Sequence, residues 1–180
     1  MTQPSLRVLL VEDEDTKIAQ WRDAVATHNA DAEAHGFSIE TCGAKTVEEA
    51  RRELDARKLD AIIVDLRFQS EDGLGKSNDQ GNQLVRHVVE TQPISMVIYT
   101  GLSGEADVGA HPQIKVLDKG GGLQPVFAWL ASQKDLFLQL RAVKATVDKE
   151  TARIFFRSIW PRWSQWTADS DVDVGKALAR

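Results

Sequence analysis

Leu59-Asp60-Ala61-Ile62-Ile63-Val64-Asp65-Leu66 is the stretch that decides the fold. Its apolar residues run on without alternation and end in a carboxylate, ahead of a polar loop that contains glycine. A short, β-branched run of this kind reads as a strand buried on both faces, as found in the middle of a parallel sheet. Ligands of such sheets bind in the crevice beyond the carboxyl ends of the strands. Asp65 therefore stands where a site is expected, and the other strands decide what joins it there.

Upstream, Leu6-Arg7-Val8-Leu9-Leu10-Val11 is a second such strand, and it runs into Glu12-Asp13-Glu14-Asp15. Ile18, Trp21 and Val25 recur at helical spacing, which predicts a first helix over about residues 15–33, stopped by Gly36. Phe37, Ile39 and Thr41 alternate as a short strand. Thr46 followed by Glu49 is a capping box opening a helix whose inner face is Val47, Ala50 and Leu54. Downstream of Asp65, a long polar loop precedes a helix expected over about 82–91, with Leu84, Val85, Val88 and Val89 inward and Pro93 closing it. Ile94 to Thr100 is a fourth strand. Residues 101–113 hold Gly101, Gly104, Gly109 and Pro112, so any helix there is short. Ile114 to Asp118 is a fifth strand, ending at Lys119 and Gly120-Gly121-Gly122. Strands alternating with helices in this way imply an α/β, doubly wound parallel sheet with right-handed crossovers.

The bulk composition bounds the function. A chain of 180 residues suits one ordinary domain with an extension, and 42% hydrophobic content is enough for a core. With 22 basic against 27 acidic residues, the net charge of −5 gives no global attraction to nucleic acid or to an anionic membrane. The single cysteine, Cys42, excludes an internal disulfide framework and fits a reducing compartment. The first apolar run is too short for a signal peptide and no later run could span a bilayer, so a cytoplasmic location is the expectation.

The strand ends then assemble a constellation. Strand one delivers Glu12 and Asp13, strand three Asp65, strand four Thr100 and strand five Lys119. Clustered carboxylates repel unless a cation joins them, and oxygen donors without histidine or cysteine favour a hard ion such as Mg²⁺. A lysine can neutralise an incoming phosphate and a threonine hydroxyl can hydrogen-bond it. A carboxylate nucleophile forming an aspartyl-phosphate is established covalent chemistry.

With these residues in family order, the chain resembles the receiver domain of two-component response regulators (CheY-like) over about residues 5–131. The markers are Val11-Glu12-Asp13, Val64-Asp65-Leu66, Tyr99-Thr100-Gly101 and Leu117-Asp118-Lys119. The resemblance implies a flavodoxin-like strand order, 2-1-3-4-5. It implies a phosphoacceptor, Asp65, that takes its phosphoryl group from a histidine kinase and assists its own phosphorylation and dephosphorylation without being an enzyme. It implies Mg²⁺ held by Asp13, Asp65 and the backbone carbonyl of Arg67, with Glu12 acting largely through water. Thr100 and Lys119 would engage the phosphoryl group. Three departures stand out: Val116 replaces the family's usual aromatic three positions before the lysine, Gly120 replaces the proline after it, and the loop after Asp65 is long. In that loop Asp72-Gly73 matches the family's Asp-Gly by spacing, while the helix is expected only after Gln80-Gly81.

Other signals have blander readings. Ser70 to Ser77 is close to a P-loop, but its first position is not glycine and no helix follows directly, so a hydrophilic loop is the better reading. His28, His35, His87 and His111 lack metal spacing, and Cys42 reads as a small core residue. The C-terminal part is the unusual one. No glycine or proline interrupts residues 126–160, and Val126, Trp129, Leu136, Leu140, Val143, Val147 and Ile154 follow a coiled-coil seam broken at Gln133 and Glu150. The aromatic segment 154–166, interleaved with arginines, suits a protein interface better than nucleic acid. The expected organisation is a receiver domain over 1–131 and a helical, aromatic-rich extension over 132–180, with a loose acidic tail after Thr167. Too few residues follow the fifth helix for a winged-helix effector. Output is thus expected through a downstream protein partner, or through a homodimer made by the C-terminal helix. The competing expectation is a receiver-shaped interaction scaffold that acts independently of phosphorylation.

Overall fold

Residues 61–64 form the shortest strand of the main sheet and its most buried one, and the remaining elements pack around them. In the computed structural model, which describes residues 3–69, 76–77, 79–101 and 111–162, the elements run in this order. They are β1 (Ser5–Val11), α1 (Asp15–Ala30), the single turn α2 (Ala32–His35), β2 (Ser38–Ala44), α3 (Val47–Ala56) and β3 (Ala61–Val64). Next come β4 (Phe68–Gln69), β5 (Lys76–Ser77), α4 (Asp79–Thr91), β6 (Ser95–Thr100), β7 (Ile114–Asp118) and α5 (Gln124–Ile154). The main sheet is β2-β1-β3-β6-β7, all parallel, which is the expected 2-1-3-4-5 once the small β4–β5 ribbon is set aside.

The period of two along each strand divides the core into two layers. Leu9, Val11, Ile62, Val64 and Ile98 face α3 and α4, where Ala50, Leu54, Leu84, Val85 and Val88 meet them. Leu6, Val8, Leu10, Ile63 and Val97 face α1 and α5, where Ile18, Trp21, Val25, Val126, Leu130 and Phe137 meet them. On this second face the Phe127 ring lies between Trp21, stacked at 5.5 Å, and His28, stacked at 5.2 Å, and His35 continues the column at 4.3 Å from His28. The column anchors α5 against α1. His28 is buried without a partner for its Nε2. Burial, then the neighbouring His35, pushes its pKa down.

Local signals behave as their chemistry dictates. The Thr46 hydroxyl accepts from Glu49 N–H at 3.1 Å, while the Glu49 carboxylate reaches back to the N–H of Lys45 at 2.8 Å, a capping box displaced by one residue. Gly36, at φ +72°, ends the helical stretch in the left-handed conformation. Asp60 accepts from the N–H of Arg7 at 2.7 Å and donates its own N–H to Arg7 O, adding one side-chain rung to the β1–β3 ladder.

The structure corrects four expectations. The first helix ends at Ala30, not near 33, and after a turn at Asp31 the four-residue α2 carries the chain to Gly36. The helix after the long loop begins at Asp79 rather than beyond Gly81. Gly81 lies inside it because a Cβ there would come within 2.5 Å of the Leu66 carbonyl oxygen, so glycine lets α4 lie directly on the chain leaving β3. Val89 is exposed, since the inner stripe of α4 is only as wide as Leu84, Val85 and Val88. Part of the supposed seam is not one: Val126 is fully buried and Trp129 packs against the domain core, edge-to-face with Phe137 at 5.6 Å. The long loop carries the antiparallel ribbon β4–β5, pairing Phe68 with Ser77 and Gln69 with Lys76. Asp72-Gly73, most of the P-loop-like run, the short fourth helix and everything after Arg162 lie outside the described residues.

By internal contacts the chain divides into two compact units, Met1–Leu138 and Gln139–Arg180, so the first reaches beyond 131 to include buried Phe137. In the second, the helix runs on to Ile154, then becomes a π-helical turn over Phe155–Ile159 and a 3₁₀ turn over Trp160–Arg162. Phe155, Phe156 and Trp160 cluster there with ring centroids 5.3–6.4 Å apart. Val143, Val147, Ile154, Phe156 and Trp160 are exposed. Among the described residues no helix is long and apolar enough to cross a membrane.

Candidate functional site

Strand register gathers the site. Val11, Val64, Ile98 and Val116 lie level across four strands. The next residues are Glu12 and Asp65, just past the ends of β1 and β3, and the paired Tyr99 and Leu117; Asp13 and Leu66 follow the first two, and the paired Thr100 and Asp118 end β6 and β7. The ladder itself holds the carboxylates in place: Glu12 N–H donates to Ala44 O and Asp65 N–H to Val11 O, both at 3.0 Å.

Lys119 closes the arrangement from the turn after β7. Its ammonium donates to Asp65 Oδ2 at 2.7 Å and to Glu12 Oε2 at 2.9 Å. Asp65 Oδ1 takes the N–H of Arg67 at 3.3 Å, and Glu12 Oε1 takes the N–H of Glu14 at 3.2 Å. Both carboxylates are buried, at 6% exposure for Asp65 and 4% for Glu12, and Thr100 is wholly buried at the end of β6. Asp13 is half-buried. Burial raises the Glu12 pKa above the ordinary carboxylate range, although the hydrogen bond and charge of Lys119 pull it down again. Burial also works against the charge of Lys119, but its hydrogen bonds to Asp65 and Glu12 outweigh that and its pKa rises.

A second grouping overlaps the first. Carboxylate oxygens of Glu12, Asp13 and Glu14 all lie within 4.8 Å of one another. The expected metal set was Glu12, Asp13, Asp65 and the Arg67 carbonyl. Glu12 and Asp13 are brought together, but Asp65 is turned to Lys119 and joins no such trio among the described residues. Glu14 is the carboxylate that the sequence reading left out, although it stands in the Glu12-Asp13-Glu14 run. Tyr99 was also missed. Its hydroxyl donates to the Lys119 carbonyl oxygen at 3.5 Å, and the Lys119 ammonium lies over its ring, 5.8 Å from the centroid. Next to them a cavity of about 360 Å³ is lined by Glu12, Lys17, Gln20, Trp21, Tyr99 and Lys119 among others.

The donor set suits a hard divalent cation. Its donors are all carboxylate oxygens, those of Glu12, Asp13 and Glu14, with the Lys119 ammonium hydrogen-bonded to Glu12 and to neighbouring Asp65. A cluster of carboxylate oxygens is matched by Mg²⁺ better than by a softer metal.

No family model matches the sequence, and no curated protein matches it significantly. Solved structures do match. The signal receiver domain of an HD-domain-containing protein from Pseudomonas fluorescens Pf-5 superposes with a TM-score of 0.50 at 14% identity, over 79% of this chain and 94% of that one. A response regulator receiver domain protein from Clostridium thermocellum gives 0.48 at 18%, over 73% and 98%. The response regulator TrrA from Thermotoga maritima, solved in complex with Mg²⁺–BeF, gives 0.47 at 16%, over 71% and 97%. With the sheet order, the chain carries the flavodoxin-like fold of response regulator receiver domains.

Proposed function

We propose that the chain is a two-component receiver whose Asp65 accepts a phosphoryl group from the phosphohistidine of a histidine kinase. The observation that carries this reading is the pair of hydrogen bonds from Lys119 to Asp65 and Glu12 at the carboxyl edge of the sheet. Asp65 attacks phosphorus through one carboxylate oxygen. The phosphorus–nitrogen bond of the donor breaks, the imidazole leaves with the bonding pair, and a mixed anhydride remains on Asp65. Lys119 spreads the charge of the transferring group, and the Thr100 hydroxyl can hydrogen-bond one of its oxygens. Glu12 and Asp13, which the structure brings together, would hold Mg²⁺, Asp65 and the Arg67 carbonyl would join them as the family resemblance implies, and the ion would neutralise charge on the phosphoryl oxygens. The same groups assist hydrolysis of the anhydride, so the protein takes part in its own resetting without turning over a substrate.

Intact-mass measurement after incubation with acetyl phosphate and Mg²⁺ tests this reading. Wild type is expected to gain a single phosphoryl group and Asp65→Asn none; an adduct that persists on Asp65→Asn would place the acceptor elsewhere. Val116 favours a second reading. It is an aliphatic residue packed against the α3–α4 core, where the family resemblance expects an aromatic, and this fits a scaffold that binds its partner whether or not it is phosphorylated. Such a scaffold would show no stabilisation by millimolar Mg²⁺ that Asp13→Ala removes.

Output runs to a downstream protein, in a cytoplasmic setting, and a second copy is the simplest one. Val143 and Val147 are each 58% exposed and Ile154 is 50% exposed, at the spacing of a helix–helix seam. Val143→Glu combined with Val147→Glu is therefore expected to convert a dimer to a monomer in sedimentation velocity. An unchanged sedimentation coefficient would remove the self-association.

A further inference from the structure

Lys119 sits in an awkward place for a residue that must be held still. Three glycines follow it, and the last, Gly122, has φ +66°. Its long stem has four rotatable bonds and its ammonium three equivalent donors, so nothing intrinsic fixes where the charge points. Two carboxylates draw the ammonium from the sheet side. Beside it opens the cavity lined by Lys17, Gln20 and Trp21 as well as by Glu12 and Lys119 itself.

Tyr99 meets both ends of this lysine. Its ring lies under the ammonium at 5.8 Å, within cation–π range, and its hydroxyl donates to the carbonyl of the same residue at 3.5 Å. That carbonyl also accepts from the N–H of Gly122 at 3.1 Å, so the backbone of the turn is tied at the point where the side chain leaves it. Val64 of β3 pairs with Ile98 of β6, and Asp65 and Tyr99 are the residues that follow each of them.

We infer that Tyr99 is a positioning residue, which holds the Lys119 ammonium against Asp65 and Glu12 by its ring and the Lys119 backbone by its hydroxyl. This inference rests on the reading of Asp65 as phosphoacceptor. Loss of the ring frees the ammonium to swing into the cavity, and phosphoryl transfer to Asp65 slows. Loss of the hydroxyl alone leaves the ring under the charge and has the smaller effect.

Two measurements on the full chain test it. The rate of adduct formation with acetyl phosphate and Mg²⁺ is expected to fall about three- to tenfold in Tyr99→Leu, the size a lost cation–π contact gives, and to stay within about twofold in Tyr99→Phe. In urea unfolding, Tyr99→Leu and Lys119→Met are expected to be non-additive, the midpoint of the double variant lying above the sum of the two single losses. The second measurement needs no phosphorylation, and a purely structural role for Tyr99 would not produce the coupling. Additive midpoints, or a wild-type rate in Tyr99→Leu, overturn the inference while leaving the phosphoacceptor standing. A wild type that takes no phosphoryl group removes the reading and the inference together.

Discussion

Lys119→Met is expected to destabilise the protein and to lower phosphoryl acceptance sharply. The substitution keeps most of the stem and removes the ammonium, leaving Glu12 and Asp65 facing each other at 4% and 6% exposure. Breaking a buried pair by deleting one partner costs about 3–5 kcal/mol where the remaining charge has no escape. Here it has one, since Glu12 can take a proton and the Lys119 side chain is itself 20% exposed in the wild type, so about 1–3 kcal/mol is the better expectation.

The sign of the pH dependence follows. Glu12 already has a raised pKa, and Lys119 supplied two of the influences that held it down. Without them the folded state binds the Glu12 proton more tightly. The folded form of the variant is then penalised as pH rises from the unfolded carboxylate range through the raised folded pKa, and most of all above it. At acid pH, with the carboxylates protonated in both proteins, the penalty fades. The gap between wild type and variant in urea unfolding is therefore expected to widen from about pH 4 to neutrality. A gap that stays constant over that range would mean the lysine acts through packing alone. At the alkaline end, the raised pKa of Lys119 itself gives wild type a contribution that is present below the unfolded lysine value and is lost as pH climbs through the folded one.

Gly81→Ala is the second substitution with a large expected effect, and here two forces oppose. Inside a helix, alanine in place of glycine gains about 1 kcal/mol of propensity. Against that, the new methyl would stand 2.5 Å from the Leu66 carbonyl oxygen and 2.6 Å from its Cα, both of them backbone atoms that cannot rotate away. Relief requires α4 or the chain after Asp65 to shift, and overpacking of this kind costs about 1–3 kcal/mol or more. The clash wins. A lower urea midpoint is expected, with a loss in phosphoryl acceptance because Leu66 follows the acceptor directly; a raised midpoint would show that α4 is free to move.

These two residues also mark where the sequence was legible and where it was not. Unalternating strands such as Leu6–Val11 and Ala61–Val64 announce a parallel sheet, and the strand ends follow from them, so the gathering of Glu12, Asp65, Thr100 and Lys119 at one edge of the sheet could be read from the chain alone. The start of α4 could not. Propensity puts Gly81 outside a helix, and only the close approach of the Leu66 backbone overrides that preference. Val89 failed for a related reason, because an apolar residue at the edge of a stripe is inward or outward according to how wide a surface faces the helix. Heptad spacing likewise cannot tell a residue that meets its own domain from one that waits for a partner. Val126 does the first, and Val143, at 58% exposure, is open to the second. Tyr99 went unnoticed because it was read only as the neighbour of Thr100, and its role depends on a lysine twenty residues further on that bends back over the sheet edge.

The strand order also bears on how the domain comes to exist at all. Both hydrogen-bonding neighbours of β1 lie within the first 64 residues: β2 follows it in the chain, and β3 arrives one helix later. β6 and β7 then add one after the other on the β3 side, each beside the strand before it. No later segment has to thread between strands already paired, so the sheet can be assembled in the direction of synthesis. Lys119 comes from the turn that follows the last strand to dock. The two carboxylates it neutralises are therefore given their cation only by a segment that lies beyond the last strand in the chain, so a chain that stops at β6 carries Glu12 and Asp65 without it.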